Sequence, residues 1–203
     1  AGWFPITIKA TRTLSKLEDH WQLAFEAYSS VADLSEISKF AVNDNNQVTP
    51  ISYRYKTSGF LSKKLRYMEF NREEKKTWLP NKQVWGNYEL TQEVQDNLSY
   101  QEQIRLDLMA GKIQFSYPVA YKSRLKNYTF EIAGNTSVAI NGKSINVVEI
   151  KQTNLKKKES NRIWLAKDYD YLIVLIKSVK RNGTKNTIEL KSAKVGETSL
   201  FAL

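Results

Sequence analysis

Ile113-Gln114-Phe115-Ser116-Tyr117-Pro118-Val119-Ala120-Tyr121 places an apolar or aromatic side chain at every odd position. A period of two, carried by aromatic and β-branched residues, is the mark of a half-buried antiparallel strand. Pro118 has no N–H to give to a ladder, so this strand is expected at a sheet edge or at a bulge. The same alternation recurs on both sides of it. Tyr128, Phe130 and Ile132 alternate with Thr129 and Glu131, and Ile188 and Leu190 with Thr187, Glu189 and Lys191. Far upstream, Trp21, Leu23, Phe25 and Ala27 share one face of an extended segment, with Gln22 and Glu26 opposite.

Turn signals separate these runs. Asn141-Gly142 and Asn182-Gly183 are hairpin dipeptides, because a type I′ turn needs positive φ at both central residues. Asn43 to Gln47 and Gly134-Asn135 are looser turns. Strands are therefore expected near 5–14, 20–31, 35–42, 48–58, 64–71 and 74–79. A second set is expected near 113–121, 125–133, 136–140, 143–153, 160–167, 171–180 and 186–194. One stretch departs from this pattern. Tyr100, Ile104 and Leu108 fall at i, i+4 and i+8, with Leu98 and Leu106 flanking, which predicts an amphipathic helix over 98–110. Ser99 and Glu102 are spaced as a capping box, and Gly111 is placed as a C′ residue. On this reading Gln103 lies on the exposed side of the helix. There is no linker, fixed-period repeat or low-complexity tract. One β-rich domain spanning 1–203, mainly β and built as a single curved antiparallel sheet with one principal helix, is the simplest architecture.

Composition excludes several kinds of chemistry. The chain has 203 residues, no cysteine and one histidine, His20. Disulfides, thiolate metal sites and cysteine nucleophiles are excluded, and a multi-histidine metal site with them. No apolar run reaches the ~20 residues that span a bilayer; the longest is Tyr171 to Ile176. Lys and Arg total 31 against 21 acids, a net charge of +10, which favours anionic partners. The chain begins Ala1-Gly2-Trp3-Phe4-Pro5, as a mature exported protein does after cleavage behind a small residue. The absence of cysteine also suits export, since no thiol is left to oxidise. A periplasmic location is the expectation.

No catalytic, metal or cofactor site emerges from the motifs. His20, beside Trp21, reads as a structural histidine. Asn141-Gly142-Lys143-Ser144 imitates the end of a phosphate loop, but Ser137 stands where the first glycine belongs, and strands flank it. Glu73-Glu74 and Asp168-Tyr169-Asp170 are the carboxylate clusters. Paired carboxylates roughly 5–10 Å apart could hydrolyse a glycan, so a polysaccharide-acting enzyme is a third-ranked reading. Adjacent strand residues face opposite ways, however, and Lys75-Lys76 follow Glu73-Glu74, as in a solvated run. Lys63-Lys64, Lys156-Lys157-Lys158 and Lys177/Lys180/Arg181/Lys185 fall at strand ends, where lysine discourages edge-to-edge association. Nucleic acid is not the expected partner. Trp3, Trp21, Trp78, Trp85 and Trp164 suit either core packing or a hydrophobic ligand trough, and the alternation serves both equally.

Asp96-Asn-Leu-Ser-Tyr-Gln-Glu-Gln-Ile-Arg-Leu-Asp-Leu-Met-Ala-Gly-Lys112 resembles the D-x-L-S-x-Q helix of a bacterial exported family, domain of unknown function 3108. Ser38-Lys-Phe40 and Pro50-Ile-Ser-Tyr53 upstream also follow that family's order. So do Tyr117-Pro118-Val119-Ala120, Tyr128 to Gly134, Asn141-Gly142 before Val147-Val148, Ile163 to Asp168, and Tyr171 to Ile176 with the Gly183 hairpin. The chain departs at Gly134-Asn135-Thr136, where the family often has G-x-E, and at Tyr171-Leu172, where a Leu-Pro pair is common. The resemblance implies an envelope protein with a strongly curved sheet, similar to the half-barrels of periplasmic lipoprotein carriers, and implies no catalytic residues. It makes a non-enzymatic protein binding a lipid-like ligand, or a partner's lipid moiety, the leading expectation. The candidate concave-face residues are Trp21, Phe25, Tyr117, Phe130, Trp164, Ile104 and Leu108. A module binding anionic lipopolysaccharide or glycan through its basic surface is the alternative.

Overall fold

The alternation is realised as strand after strand in the computed structural model, which describes residues 9–29, 32–59 and 63–200. Trp3, the start of the 5–14 strand and the last residues of the 20–31 strand lie outside the described residues. The chain divides into two compact units, Ala1–Gln103 with Tyr117–Lys126, and Ile104–Ser116 with Asn127–Leu203. Seven strands in chain order, β1 (Lys9–Lys16), β2 (Trp21–Tyr28), β3 (Ala32–Val42), β4 (Val48–Gly59), β5 (Lys64–Asn71), β6 (Lys76–Leu79) and β7 (Val84–Trp85), form one antiparallel sheet. Helix α1 (Ser99–Met109) follows. A second sheet, ordered β13-β12-β11-β10-β9-β8, comprises β8 (Gln114–Tyr121), β9 (Arg124–Ile140), β10 (Lys143–Gln152), β11 (Ser160–Ala166), β12 (Leu172–Val179) and β13 (Lys185–Glu189). A short ribbon of β14 (Lys194–Val195) and β15 (Thr198–Ser199) follows.

The expected class is found: mainly β, antiparallel, with one principal α-helix. The strands form two main sheets rather than one. The helical segment after Trp85 interrupts the succession of hairpins, so β8 opens a new sheet instead of extending the first. Pro118 lies on an edge strand as its missing N–H requires. That edge is covered by the backbone of Gln95, whose N–H donates to Pro118 O (2.8 Å) while its carbonyl accepts from Ala120 N (2.8 Å).

Two turns differ from expectation. Gly134-Asn135 is not a turn. The 17-residue β9 runs through it, and Ala133 is absorbed as a bulge where β10 pairs Glu149 with Gly134 but Ile150 with Ile132. Asn141-Gly142 has positive φ at both residues, 49° and 79°, as a type I′ hairpin needs. At Asn182-Gly183 only the glycine is positive, at 83°. There Gly183 N donates to Lys180 O, and Lys180 N to Thr184 O, the pattern of a three-residue loop closed by a bulged glycine.

Helix α1 begins one motif earlier than Ser99 and Glu102 suggest. Asp96 is the N-cap: its Oδ1 accepts from Leu98 N (2.8 Å) and Ser99 N (2.9 Å). Ser99 Oγ reciprocates by accepting from Asp96 N (2.8 Å), so the capping box is Asp96/Ser99. Glu102 is thereby released to accept from Arg12 Nη2 (2.8 Å). Gly111 is the C′ residue at φ 79°; its N–H donates to Leu108 O, and Lys112 N donates to Asp107 O, the Schellman arrangement.

The helix is buried on more than its apolar stripe. Tyr100, Ile104 and Leu108 are buried, but so are Glu102, Gln103 and Asp107. Gln103, expected in solvent, accepts from Val48 N (2.7 Å) and donates to Asn46 O (3.0 Å). An α-helix folded against a sheet on its polar side must satisfy each buried polar atom, and this glutamine does so. Gln103→Ala should therefore cost about 1–3 kcal/mol by orphaning the Val48 amide. Ile104→Ala should cost about 2–4 kcal/mol through its cavity. Urea unfolding of both variants checks this, and a Gln103→Ala midpoint equal to that of the parent would refute the buried role.

Candidate functional site

The register of the first sheet sets which side chains share a face. Leu14, Leu23, Ser38, Tyr53 and Met68 stand opposite one another across β1 to β5. The next row on the same face is Arg12, Phe25, Glu36, Tyr55 and Arg66. In the first row Leu23, Ser38, Tyr53 and Met68 are buried. In the second, Arg12, Phe25, Glu36, Tyr55 and Arg66 are all only half-buried. Residues 95–103 bond to Ser38 and Tyr53 of the first row and to Arg12 at the end of the second, while Leu14 at the end of the first row is exposed.

The cover is polar. Ser38 Oγ donates to Asp96 Oδ2 (2.6 Å), so the carboxylate that caps the helix also ties it to β3. Asn97 Nδ2 donates to Tyr53 OH (3.3 Å), and Tyr53 OH donates to Glu36 Oε2 (2.5 Å). Gln95 Nε2 donates to Val48 O (2.7 Å), so Val48 has its amide held by Gln103 and its carbonyl by Gln95. Arg12 Nη1 donates to Gln101 Oε1 (2.7 Å) at the rim.

Burial dominates the electrostatics here. Asp96 is fully buried, and desolvation lifts its carboxyl to about 6 even though Ser38, Ser99 and Leu98 donate to it. Burial also raises Glu36, with the Tyr53 hydrogen bond and the charges of Arg66 and Arg12 acting against it. The Tyr53 hydroxyl is pushed far up by burial and then by the Glu36 charge, so it stays a donor at any ordinary pH.

The seven candidate residues separate into two groups. Trp21 and Phe25 share the face of the seven-stranded sheet that carries Leu23 and Tyr53 and are half-buried, with Lys16 Nζ 5.7 Å from the Trp21 ring centroid. Tyr117, Phe130, Trp164, Ile104 and Leu108 are between 0% and 9% exposed, so their surfaces are already taken by the protein's own packing. Trp164 belongs to a cluster with Ile140, Ile145, Val147, Ala166 and Val174, which does not include Phe130, Ile104 or Leu108. Phe130 underlies a shallow open hollow of about 330 Å³, rimmed by Gln114, Ser116, Thr129, Glu131 and Thr153. A second hollow of about 190 Å³ is lined by Asn135, Thr136, Asn146, Lys167 and Asp168. The larger exposes more apolar than polar surface, from Phe115 and Phe130 among others, and the smaller exposes the two about equally.

Among the other motifs, Glu73 and Glu74 are exposed in the β5–β6 turn. Asp168 lies in a single 3-10 turn (Lys167–Tyr169), and the Asp170 carbonyl after it accepts from Arg105 Nε and Nη2, both at 3.1 Å. His20 pairs with Asp19 in the β1–β2 hairpin, at 2.5 Å from Nδ1 to Oδ1. Trp78 and Trp85 pair across β6 and β7 with ring centroids 5.0 Å apart. No helix among the described residues is long and apolar enough to cross a membrane. Among the described residues no three His, Asp or Glu side chains are grouped as for a metal ion.

Composition and periodicity missed the Ser38, Tyr53, Asp96 and Gln103 network, because no spacing rule brings residues so far apart together. The signal that held them was the family motif: Asp96, Ser99 and Gln101 are its D, S and Q, and Ser38 and Tyr53 sit in its upstream matches. The family model described as "Protein of unknown function (DUF3108)" matches residues 2–191, and the chain belongs to that family. No curated protein matches the sequence. A crystal structure of a DUF1089 family protein from Pseudomonas aeruginosa is similar over 91% of each chain at 7% identity, with a TM-score of 0.38, too distant to carry an argument.

Asp96 gives the site a pH signature. The folded chain binds its proton more tightly than the unfolded chain does, since the folded value is about 6 against the usual 3.8. The stability it contributes is present below the lower value and is lost as pH rises through the upper one. Asp96→Asn keeps the Oδ1 acceptor for Leu98 and Ser99 but cannot titrate. The difference in unfolding free energy between Asp96→Asn and the parent should therefore shift in favour of the variant from pH 4 to pH 7. Parallel stability profiles would show that Asp96 does not titrate in this range.

Proposed function

We propose that this protein is a non-enzymatic component of the bacterial periplasm or envelope that holds an apolar, lipid-like ligand, or a partner's lipid moiety, against the inner face of its seven-stranded sheet. The supporting observation is the partly open second row. Phe25 and Tyr55, with Leu34 one row further on and Trp21 two rows back, present half-buried apolar surface on this face. A half-barrel curvature of this sheet is part of the proposal. An oxidising location accords with the absence of cysteine.

Burial of an acyl chain offers up to about 0.8 kcal/mol per methylene before ordering costs. That exceeds what a screened surface charge supplies. Binding of a fluorescent fatty-acid probe should be saturable, nearly unchanged between low and high salt, and weakened about tenfold by Phe25→Asp, which sets a charge in the apolar row. Native mass spectrometry of protein purified from its own host should show a co-purified acyl species. Absence of saturable probe binding at either salt, together with a ligand-free mass, would refute the reading.

A further inference from the structure

We infer that the cations gathered on Tyr55 and Tyr121 form a binding site for a phosphate-type anion, most simply the phosphorylated headgroup of an amphiphile. The inference rests on the lipid-binding reading only for the apolar part of that ligand. Lys126 Nζ lies 3.8 Å from the Tyr121 ring centroid, the Arg66 guanidinium carbon 5.2 Å and Lys122 Nζ 5.5 Å. Arg66 is also 4.4 Å from the centroid of Tyr55, its register partner on β4. Three cations thus share two half-buried phenol rings.

Among the described residues none of these cations forms an ion pair. The ion pairs engage Arg12, Lys112, Lys151, Arg162 and Lys191, with the His20–Asp19 contact beside them. The acid whose charge reaches the cluster is Glu36, which acts on Arg66 and Tyr55 while its own hydrogen bond comes from Tyr53. Arg124, the first residue of β9, adds a further exposed cation between Lys122 and Lys126 in sequence. Arg66, Lys122 and Lys126 all lie within 5.5 Å of the centroid of one ring, and like charges so gathered repel unless an anion joins them. The rings orient the cations through cation–π attraction without neutralising them.

The chemistry favours phosphate over a single carboxylate. A phosphate monoester carries about −1.5 to −2 charges and three acceptor oxygens, which suits several cations at once. An Arg fork holds two of those oxygens and lysines serve as point charges for the rest. The same face carries Phe25 in the row of Arg66, so one molecule with a phosphate and an acyl chain could use both.

Amide chemical-shift mapping on the intact protein tests this with lysophosphatidic acid and the uncharged monoacylglycerol of equal chain length, both below micelle formation, with inorganic phosphate, and with polygalacturonate. Lysophosphatidic acid should shift residues 55, 66, 121, 122 and 126, bind about tenfold more tightly than monoacylglycerol, and weaken as salt rises. The double variant Arg66→Ala/Lys126→Ala should lose that advantage, and Lys156→Ala, in the lysine run before β11, should keep it. The unsubstituted protein's shift map stands even where the variant folds poorly. Inorganic phosphate shifting the same residues, with neither lipid binding, would support the anion site and refute the lipid reading. The two lipids binding equally, with no salt effect, would overturn the anion site and leave the lipid reading intact. Polygalacturonate alone shifting these residues would overturn the assignment to phosphate.

Discussion

One carboxylate does two structural jobs. Asp96 closes the first turn of α1 through Leu98 and Ser99 and accepts from Ser38 in the middle of the seven-stranded sheet. The helix can start only where this side chain finds both partners, so its start and its attachment to β3 are fixed by the same atom pair. The other contacts of residues 97–103 with the sheet follow from that placement. Asn97 reaches Tyr53, Gln101 and Glu102 reach Arg12, and Gln103 reaches the Val48 amide because each is a set number of residues after the cap. A buried, hydrogen-bonded polar contact of this kind gives a modest net free energy but a strict geometry, since any misplacement leaves desolvated groups unpaired.

How much of this was legible in the sequence depends on range. Alternation is local, so the strands and the face shared by Trp21, Leu23, Phe25 and Ala27 were readable. Asn141-Gly142 was readable because two positive φ angles need those residues. Gly134 misled because glycine serves a bulge as well as a turn, and only the partner strand decides between them. Ser99 and Glu102 misled for a similar reason. Their spacing fits a capping box, but Asp96 precedes them with an equally good spacing, and Arg12, ninety residues earlier in the chain, claims Glu102.

The candidate site was legible only in outline. Aromatic residues on one strand face were visible, but whether they are sealed or open depends on what the rest of each unit packs against them. Trp164 and Phe130 look no different from Phe25 in a string of letters, yet they are fully packed while Phe25 is not. The Tyr55, Arg66, Tyr121 and Lys126 grouping joins β4, β5 and the β8–β9 hairpin, and no periodicity relates them. Gln103 shows the reverse failure. A glutamine beside a polar residue on a helix reads as solvent-facing, and nothing local reveals that a strand amide needs it.

The order of the first sheet has a kinetic consequence. Its strands neighbour one another in the order of the chain, so each pairing closes a short loop. The side-chain contacts that fasten residues 95–103 to it span 44 to 90 positions, from Tyr53 with Asn97 through Val48 with Gln103 and Ser38 with Asp96 to Arg12 with Glu102. Contacts of low sequence separation close first because they lose less chain entropy. The meander therefore assembles as successive hairpins, and the capped segment docks on it afterwards, past the main barrier. Weakening the Ser38–Asp96 contact then speeds unfolding and leaves refolding nearly unchanged, a difference confined to one arm of a chevron plot.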